Sequence, residues 1–213
     1  MVTYAGLTVV GGTAITALWG NMMRDAGIVP FATAADRTLA IASPNDAQLT
    51  YNSTTKWFEY YQTTPTSWLP LPGTVIARAE RTTDSSTTTS EIGVLRLDSI
   101  PIVNGYSYGI KSDRHFVLST TGDIVATMFR GNTAGNATTA STVIGAANYG
   151  TTNSVQPYSQ MLSSNYMSAT TGNLSVLLSV ARISGTGNTK TFGAVRFRVI
   201  FEGATPADTG VDI

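Results

Sequence analysis

One histidine and a thin scatter of carboxylates supply nearly all the acid–base chemistry available to this chain. His115 follows Asp113 and Arg114, with Ser112 and Ser119 close by in sequence. Those residue types can make a nucleophilic serine relay, but sequence neighbours are not triad geometry, and no G-x-S-x-G elbow is present. A single histidine rules out a multi-histidine metal site, and a lone histidine in a strand context reads as structural. Asp84, Glu91, Asp98, Asp113, Asp123 and Glu202 are spread along the chain. A glycosidase pair drawn from them would need the fold to bring two carboxylates to about 5–9 Å of each other. Gly185-Thr186-Gly187 is too short for a phosphate cradle, and no G-x-x-x-x-G-K-S/T stretch occurs. No catalytic residue, cofactor or metal site is expected, and the chain does not read as an enzyme.

The elements that would position such groups are mostly strands. Val75, Ala77 and Ala79 alternate with Ile76, Arg78 and Glu80. Ile92–Leu97 and Ile100–Val103 are extended, Asn104-Gly105 signals a turn, and Tyr106, Tyr108 and Ile110 alternate with Ser107, Gly109 and Lys111. Phe116–Leu118 and Ile124–Phe129 follow, and residues 131–142 read as a small polar loop. Val143-Ile144, the Tyr149–Tyr158 region and Tyr166-Met167 are weaker candidates. Leu174–Ile183 and Phe192–Glu202 are the best strands, expected as a central hairpin over the Ser184–Asn188 turn. In the second, Val195, Phe197, Val199 and Phe201 alternate with Arg196, Arg198 and Ile200. This pattern predicts a mainly β domain, an antiparallel β-sandwich or jelly roll. A trimer of tumour-necrosis-factor or C1q type is its natural host by analogy of fold. Arg196 and Arg198 are either solvated or paired with a neighbouring subunit's carboxylates, such as Glu80 or Asp98.

Composition narrows the class of function. The 213 residues suffice for one good-sized domain with an appendage, or two small domains. Hydrophobic residues are 42% and charged residues only 12%, about half the globular norm of roughly 25%. Lys+Arg and Asp+Glu each number 13, so there is no electrostatic footprint for nucleic acid or an anionic membrane. A weakly charged surface rich in Thr, Ser, Asn and Gly suits burial against other protein. With no cysteine, no disulfide framework or thiolate metal site can form. Apolar runs fall far short of the roughly 20 residues of a membrane span. Residues 1–12 lack the basic start of a secretory signal, so neither membrane insertion nor ordinary secretion is expected.

Toward the N-terminus, Ile15, Leu18, Trp19, Met22, Met23 and Ala26 follow helical spacing from Thr13, a candidate cap, to Gly27. So short a helix needs its stripe covered. The stripe either docks on this chain's own domain or meets a neighbouring subunit or larger assembly. Thr33 and Asp36 then read as a capping pair ahead of Arg37–Ile41, with helix ending at or before Ser43 because Pro44 follows. Gln48–Tyr51 and Lys56–Tyr61 are extended and joined by an Asn-Ser-Thr-Thr turn. Tyr51, Trp57, Phe58, Tyr60 and Tyr61, with Trp68, are expected to cover one side of this hairpin, which is too small to stand alone.

The order of Phe31, Ala32, Ala34, Ala35, Arg37, Ile41, Pro44, Gln48, Leu49, Tyr51, Trp57, Tyr60 and Trp68 resembles a module of tailed-bacteriophage virion proteins. That module is common among minor tail and fibre-type proteins of phages infecting actinobacteria. Its usual Asp-Gly-x-x-Trp turn is replaced here by Gln62–Ser67, and the likeness covers about residues 13–105. The resemblance implies a virion component, with other virion proteins as partners and the phage particle as its location; the tail is the preferred place, and with the low charge and strand pattern a homotrimer is expected. A capsid decoration or head-fibre protein is the close rival. A host cell-wall glycan-binding module, using Tyr106, Tyr108, Tyr149 or Tyr158, is a further alternative. In a phage protein the glycosylation triplets Asn136-Ala137-Thr138 and Asn173-Leu174-Ser175 carry no meaning. The expected layout is an anchor over 1–30, a helix-turn-hairpin collar over 31–72, a β-sandwich over 73–205 and a tail over 206–213. The assembly interface falls on Ile15, Leu18, Trp19, Met22 and Met23, and the collar on Phe31, Tyr51, Trp57, Tyr60 and Trp68.

Overall fold

The computed structural model describes residues 28–86, 89–118, 124–150, 158–185, 190–191 and 195–204. The N-terminal stripe of Ile15, Leu18, Trp19, Met22 and Met23, together with Ser119, Asp123 and the segment 206–213, lies outside the described residues. The chain divides into two compact units, Met1–Leu71 and Pro72–Ile213. Most described residues are in strands.

In the first unit β1 (Val29–Phe31), α1 (Ala34–Ala40), β2 (Leu49–Asn52), β3 (Trp57–Thr63) and β4 (Thr66–Pro70) follow one another. The strands lie in the order β1-β2-β3-β4, with β1 parallel to β2 and the remaining pairs antiparallel. Helix α1 starts at a capping box. The Asp36 N–H donates to Thr33 Oγ1 at 3.1 Å, and the Thr33 N–H donates back to the Asp36 carboxylate at 3.1 Å. Seven residues are too few for a free helix, so α1 depends on burying Arg37 and Ile41. The β2–β3 turn is tied by Asn52 Oδ1, which accepts from the N–H groups of Thr54 and Thr55. The β3–β4 turn holds the cis Thr64–Pro65 bond.

The aromatics do not share one side of this sheet. Tyr51 pairs with Phe58 and Leu49 with Tyr60 on one face, while Tyr61 pairs with Trp68 on the other. Period-two alternation along β3 is the reason: Trp57, Glu59 and Tyr61 point one way, Phe58 and Tyr60 the other.

The second unit is built from β5 (Val75–Arg81), β6 (Ile92–Ile102), β7 (Tyr106–Leu118), β8 (Ile124–Asn132), β9 (Thr142–Gly150), β10 (Tyr158–Met167), β11 (Gly172–Ser184), β12 (Lys190–Thr191) and β13 (Val195–Ala204). One sheet runs β10-β7-β13-β5, with β12 added to β7, and the other runs β6-β11-β8-β9. All pairings are antiparallel. The sheets pack face to face as a sandwich. Phe129 of β8 stacks on Phe197 of β13 at 5.4 Å, and Val125, Val176, Leu178, Val180, Val195, Val199 and Phe201 fill the space around them. Both edges are laced. Arg81 of β5 donates to the Val94 carbonyl of β6, and Ser164 of β10 donates to the Ile144 carbonyl of β9. At the second edge Gly145 leaves room, since a Cβ there would lie 2.5 Å from Ser164 Cβ.

Several expectations change. The two strongest strands, β11 and β13, are not a hairpin: each sits inside a different sheet, and their apolar faces meet across the core. The two extended pieces expected between Ile92 and Val103 are one strand, broken in register where Ser99 takes φ 56°. The weak candidates Val143-Ile144 and Tyr166-Met167 belong to full strands, β9 and β10, while most of the Tyr149–Tyr158 region, residues 151–157, lies outside the described residues. In β5, Ile76 is buried and Val75 exposed, because the register shifts between Val199 and Ile200.

Candidate functional site

The first unit buries charge. Arg37 Nη1 pairs with Glu59 Oε2, and both side chains are nearly inaccessible. Asn52 Nδ2 donates to Glu59 Oε1 at 3.4 Å, and the Arg37 guanidinium lies 4.6 Å from the centre of the Trp68 ring. Burial holds the Arg37 pKa below its ordinary value. Arg37 Nε and Thr50 Oγ1 are buried without a hydrogen-bond partner among the described residues. Of the collar residues, Trp68 belongs to this cluster and Tyr51 and Tyr60 to the opposite face. Trp57 lies on the cluster's side of the sheet, half-buried, as is Phe31 of β1. On the opposite face Tyr51 meets Phe58 at 5.1 Å, and Phe58 is 46% exposed and Leu49 36% exposed.

In the second unit the candidates that the structure describes have other partners or are known by strand register alone. Ser112 is buried, its hydroxyl accepting from the Leu162 N–H, while Asp113 pairs with Arg196 and His115 with Gln160 in strand register. Glu91 forms a two-pronged pair with Arg130, at 2.6 and 2.5 Å, and also accepts from the buried Ser179 hydroxyl. That pairing raises the Arg130 pKa. Asp98 accepts from Ser175 Oγ at 2.5 Å and Arg96 Nε at 2.9 Å, and the Ser175 bond chiefly holds its pKa below the usual carboxylate range. Among the described residues no cluster of three or more His, Cys, Asp or Glu side chains could hold a metal ion.

Two of the four tyrosines expected to face a glycan are core residues. Tyr106 and Tyr108 point inward from β7 and pack on Phe201 at 5.6 and 5.7 Å. The Tyr108 hydroxyl accepts from the Val103 N–H at 2.7 Å, and burial pushes its pKa up to about 12. They face in because β7 lies inside its sheet, where one side of the alternation must fill the core. Tyr149 and Tyr158 lie on the edge strands β9 and β10.

The outer face of the β5-β13-β7 ladder is strongly charged. Arg78, Arg198 and Lys111 occupy directly opposed positions on three neighbouring strands. One row along, Arg196 pairs in the same chain with Glu80 at 3.3 Å. A polar cleft of about 280 Å³ opens where the loop after β8 meets the β6–β11 ladder. Ser99, Thr133, Asn136, Asn173 and Ser175 line it. Sequence reading missed this site, although both Asn-x-Ser/Thr triplets deliver their asparagines to it.

No family model matches the chain, and no curated protein matches it. A solved structure described as "CBM4 structure and function" is similar at a TM-score of 0.30 and 13% identity, over 59% of this chain and 94% of that one. Another, described as "Structure of infectious bursal disease virus Gx strain", reaches a TM-score of 0.26 and 9% identity, over 70% of this chain and 43% of that one. At these scores neither likeness carries weight for fold or function.

Proposed function

We propose that this chain is a structural protein of a tailed-phage virion, a minor tail or fibre-type component that displays its sandwich from the particle. The observation that carries the reading is the nesting of strand pairs: β5 with β13, β6 with β11, β7 with β10 and β8 with β9. Such nesting across two sheets is the pattern of a jelly roll, an architecture frequent in viral shells and lectins. Fold alone names no function; the phage-like order of residues over the first unit supplies the particle. A homotrimer is supported by the near-zero net charge. An enzymatic role is disfavoured, since Glu91 and Asp98 are committed to Arg130, Arg96 and nearby serines. A lowered pKa at Asp98 also runs against general-acid work.

Cryo-electron microscopy of purified virions tests this directly. Density for three copies at the tail is the expected result. Density on the capsid would replace it with the decoration or head-fibre reading. Absence of the chain from purified particles would end the virion reading.

A further inference from the structure

We infer that the cleft between the loop after β8 and the β6–β11 ladder is a saccharide site, taking one neutral sugar residue through Asn136 and Asn173. Its floor is built in advance. Ser175 is buried, donates to Asp98 Oδ1 at 2.5 Å and accepts from the Ala137 N–H at 2.8 Å, which ties the loop to the sheet. Asn132 holds the loop from within, donating to the Asn136 carbonyl at 3.1 Å and accepting from the Ala134 N–H at 2.9 Å. Opposite, Ser99 sits in the left-handed region at φ 56°, in a register break that turns it toward the cleft. Bulges of this kind re-aim side chains beside binding sites.

The lining fixes the class of ligand. Asn136 and Asn173 are exposed, and neither side-chain amide makes a hydrogen bond among the described residues. Each amide offers two donors and an acceptor, the set that matches the adjacent hydroxyls of a sugar ring. Ser99 and Thr133 add hydroxyls, and no charged side chain lines the space. An anion would find no cation there. A calcium ion takes 6–8 oxygen ligands, usually several of them carboxylate. Asp98, bonded to Ser175 at the floor of the cleft, already has one oxygen on Ser175 and the other on Arg96. A volume of about 280 Å³ falls just below the roughly 300–1,000 Å³ of sites for drug-sized ligands. That is room for one ring, not a chain. This inference does not rest on the virion reading, because the isolated chain suffices to test it.

The experiment is an ¹⁵N-NMR titration of the full chain with N-acetylglucosamine, galactose and arabinose, and separately with calcium. One of the sugars should move the backbone amides of Ser99, Thr133–Asn136 and Asn173–Ser175. The double variant Asn136→Ala/Asn173→Ala should bind it about tenfold more weakly or worse, the scale of two lost neutral hydrogen bonds. Unchanged resonances in the core strands would show that this variant folds; if it does not, Asn136→Asp, which keeps the volume and removes the donors, takes its place. The site assignment is overturned if none of the sugars moves these amides. It is overturned equally if calcium alone moves them, or if the variant binds sugar as the parent does.

Discussion

Beneath α1, the small sheet of residues 29–70 buries Arg37, Glu59, Asn52 and Thr50 against Trp68. Between its two sheets, the sandwich buries Phe129, Phe197, Leu178 and five flanking valines with no charged group among them. The difference follows from area. A four-stranded sheet under a seven-residue helix has little apolar surface to close over, so a charge pair with an aromatic lid fixes the position of the helix. Two broad sheets can exclude water with hydrocarbon alone, and they place their charges outside, as in the Glu91–Arg130 and Arg196–Glu80 pairs. One unit depends on a few directional contacts, the other on many weak ones.

The sharpest way to break this contrast is to remove one core ring. Phe197→Ala should cost the sandwich about 3–5 kcal/mol. Trp57 and Trp68 lie in the first unit, and the sequence of the second, residues 72–213, contains no tryptophan. Tryptophan fluorescence should therefore keep its denaturation midpoint while far-UV dichroism, dominated by the sandwich, loses its own. A common shift in both signals would refute independent units.

Removing one partner of the buried pair tests the other side. Glu59→Leu strands the Arg37 charge and should cost the first unit about 3 kcal/mol, read by tryptophan fluorescence. Adding Arg37→Met should recover most of that loss. A double variant no better than the single one would mean the pair does more than cancel its own burial.

The smallest effect belongs to the polar tip at the sandwich's rim. Tyr108→Phe gives up the bond from the Val103 N–H, worth about 1 kcal/mol. Because burial raises the Tyr108 pKa to about 12 from 10.0, the folded state holds its proton longer than the unfolded chain. Its contribution is full below about pH 10 and is lost as pH climbs toward 12. Alkaline melting curves should thus fall less steeply for Tyr108→Phe than for the parent.

Much of the sandwich was legible in residues such as Val195, Phe197, Val199 and Phe201, whose strict alternation survives unbroken in β13. The capping pair Thr33–Asp36 was legible too, because a cap is local chemistry. What escaped were features set by partners far away in sequence. Strand β9, TVIGAANYG, is too small-sided to announce itself; its shape answers to Ser164 across the edge. Tyr106 and Tyr108 looked like display residues because alternation does not reveal which face is the inner one. The cleft was invisible because Asn136 and Asn173 meet only once β8 lies beside β11 and β11 beside β6.

Strand β13 slots between β5, which begins at Val75, and β7. A chain emerging from the ribosome therefore exposes two unmatched strand edges until its last regular strand arrives. Closure joins residues more than a hundred positions apart, as Ala79 to Phe197, the kind of pairing that makes folding slow and leaves edges open to wrong partners meanwhile. The time between making β7 and making β13 is thus the interval in which copies of this chain are most able to capture one another.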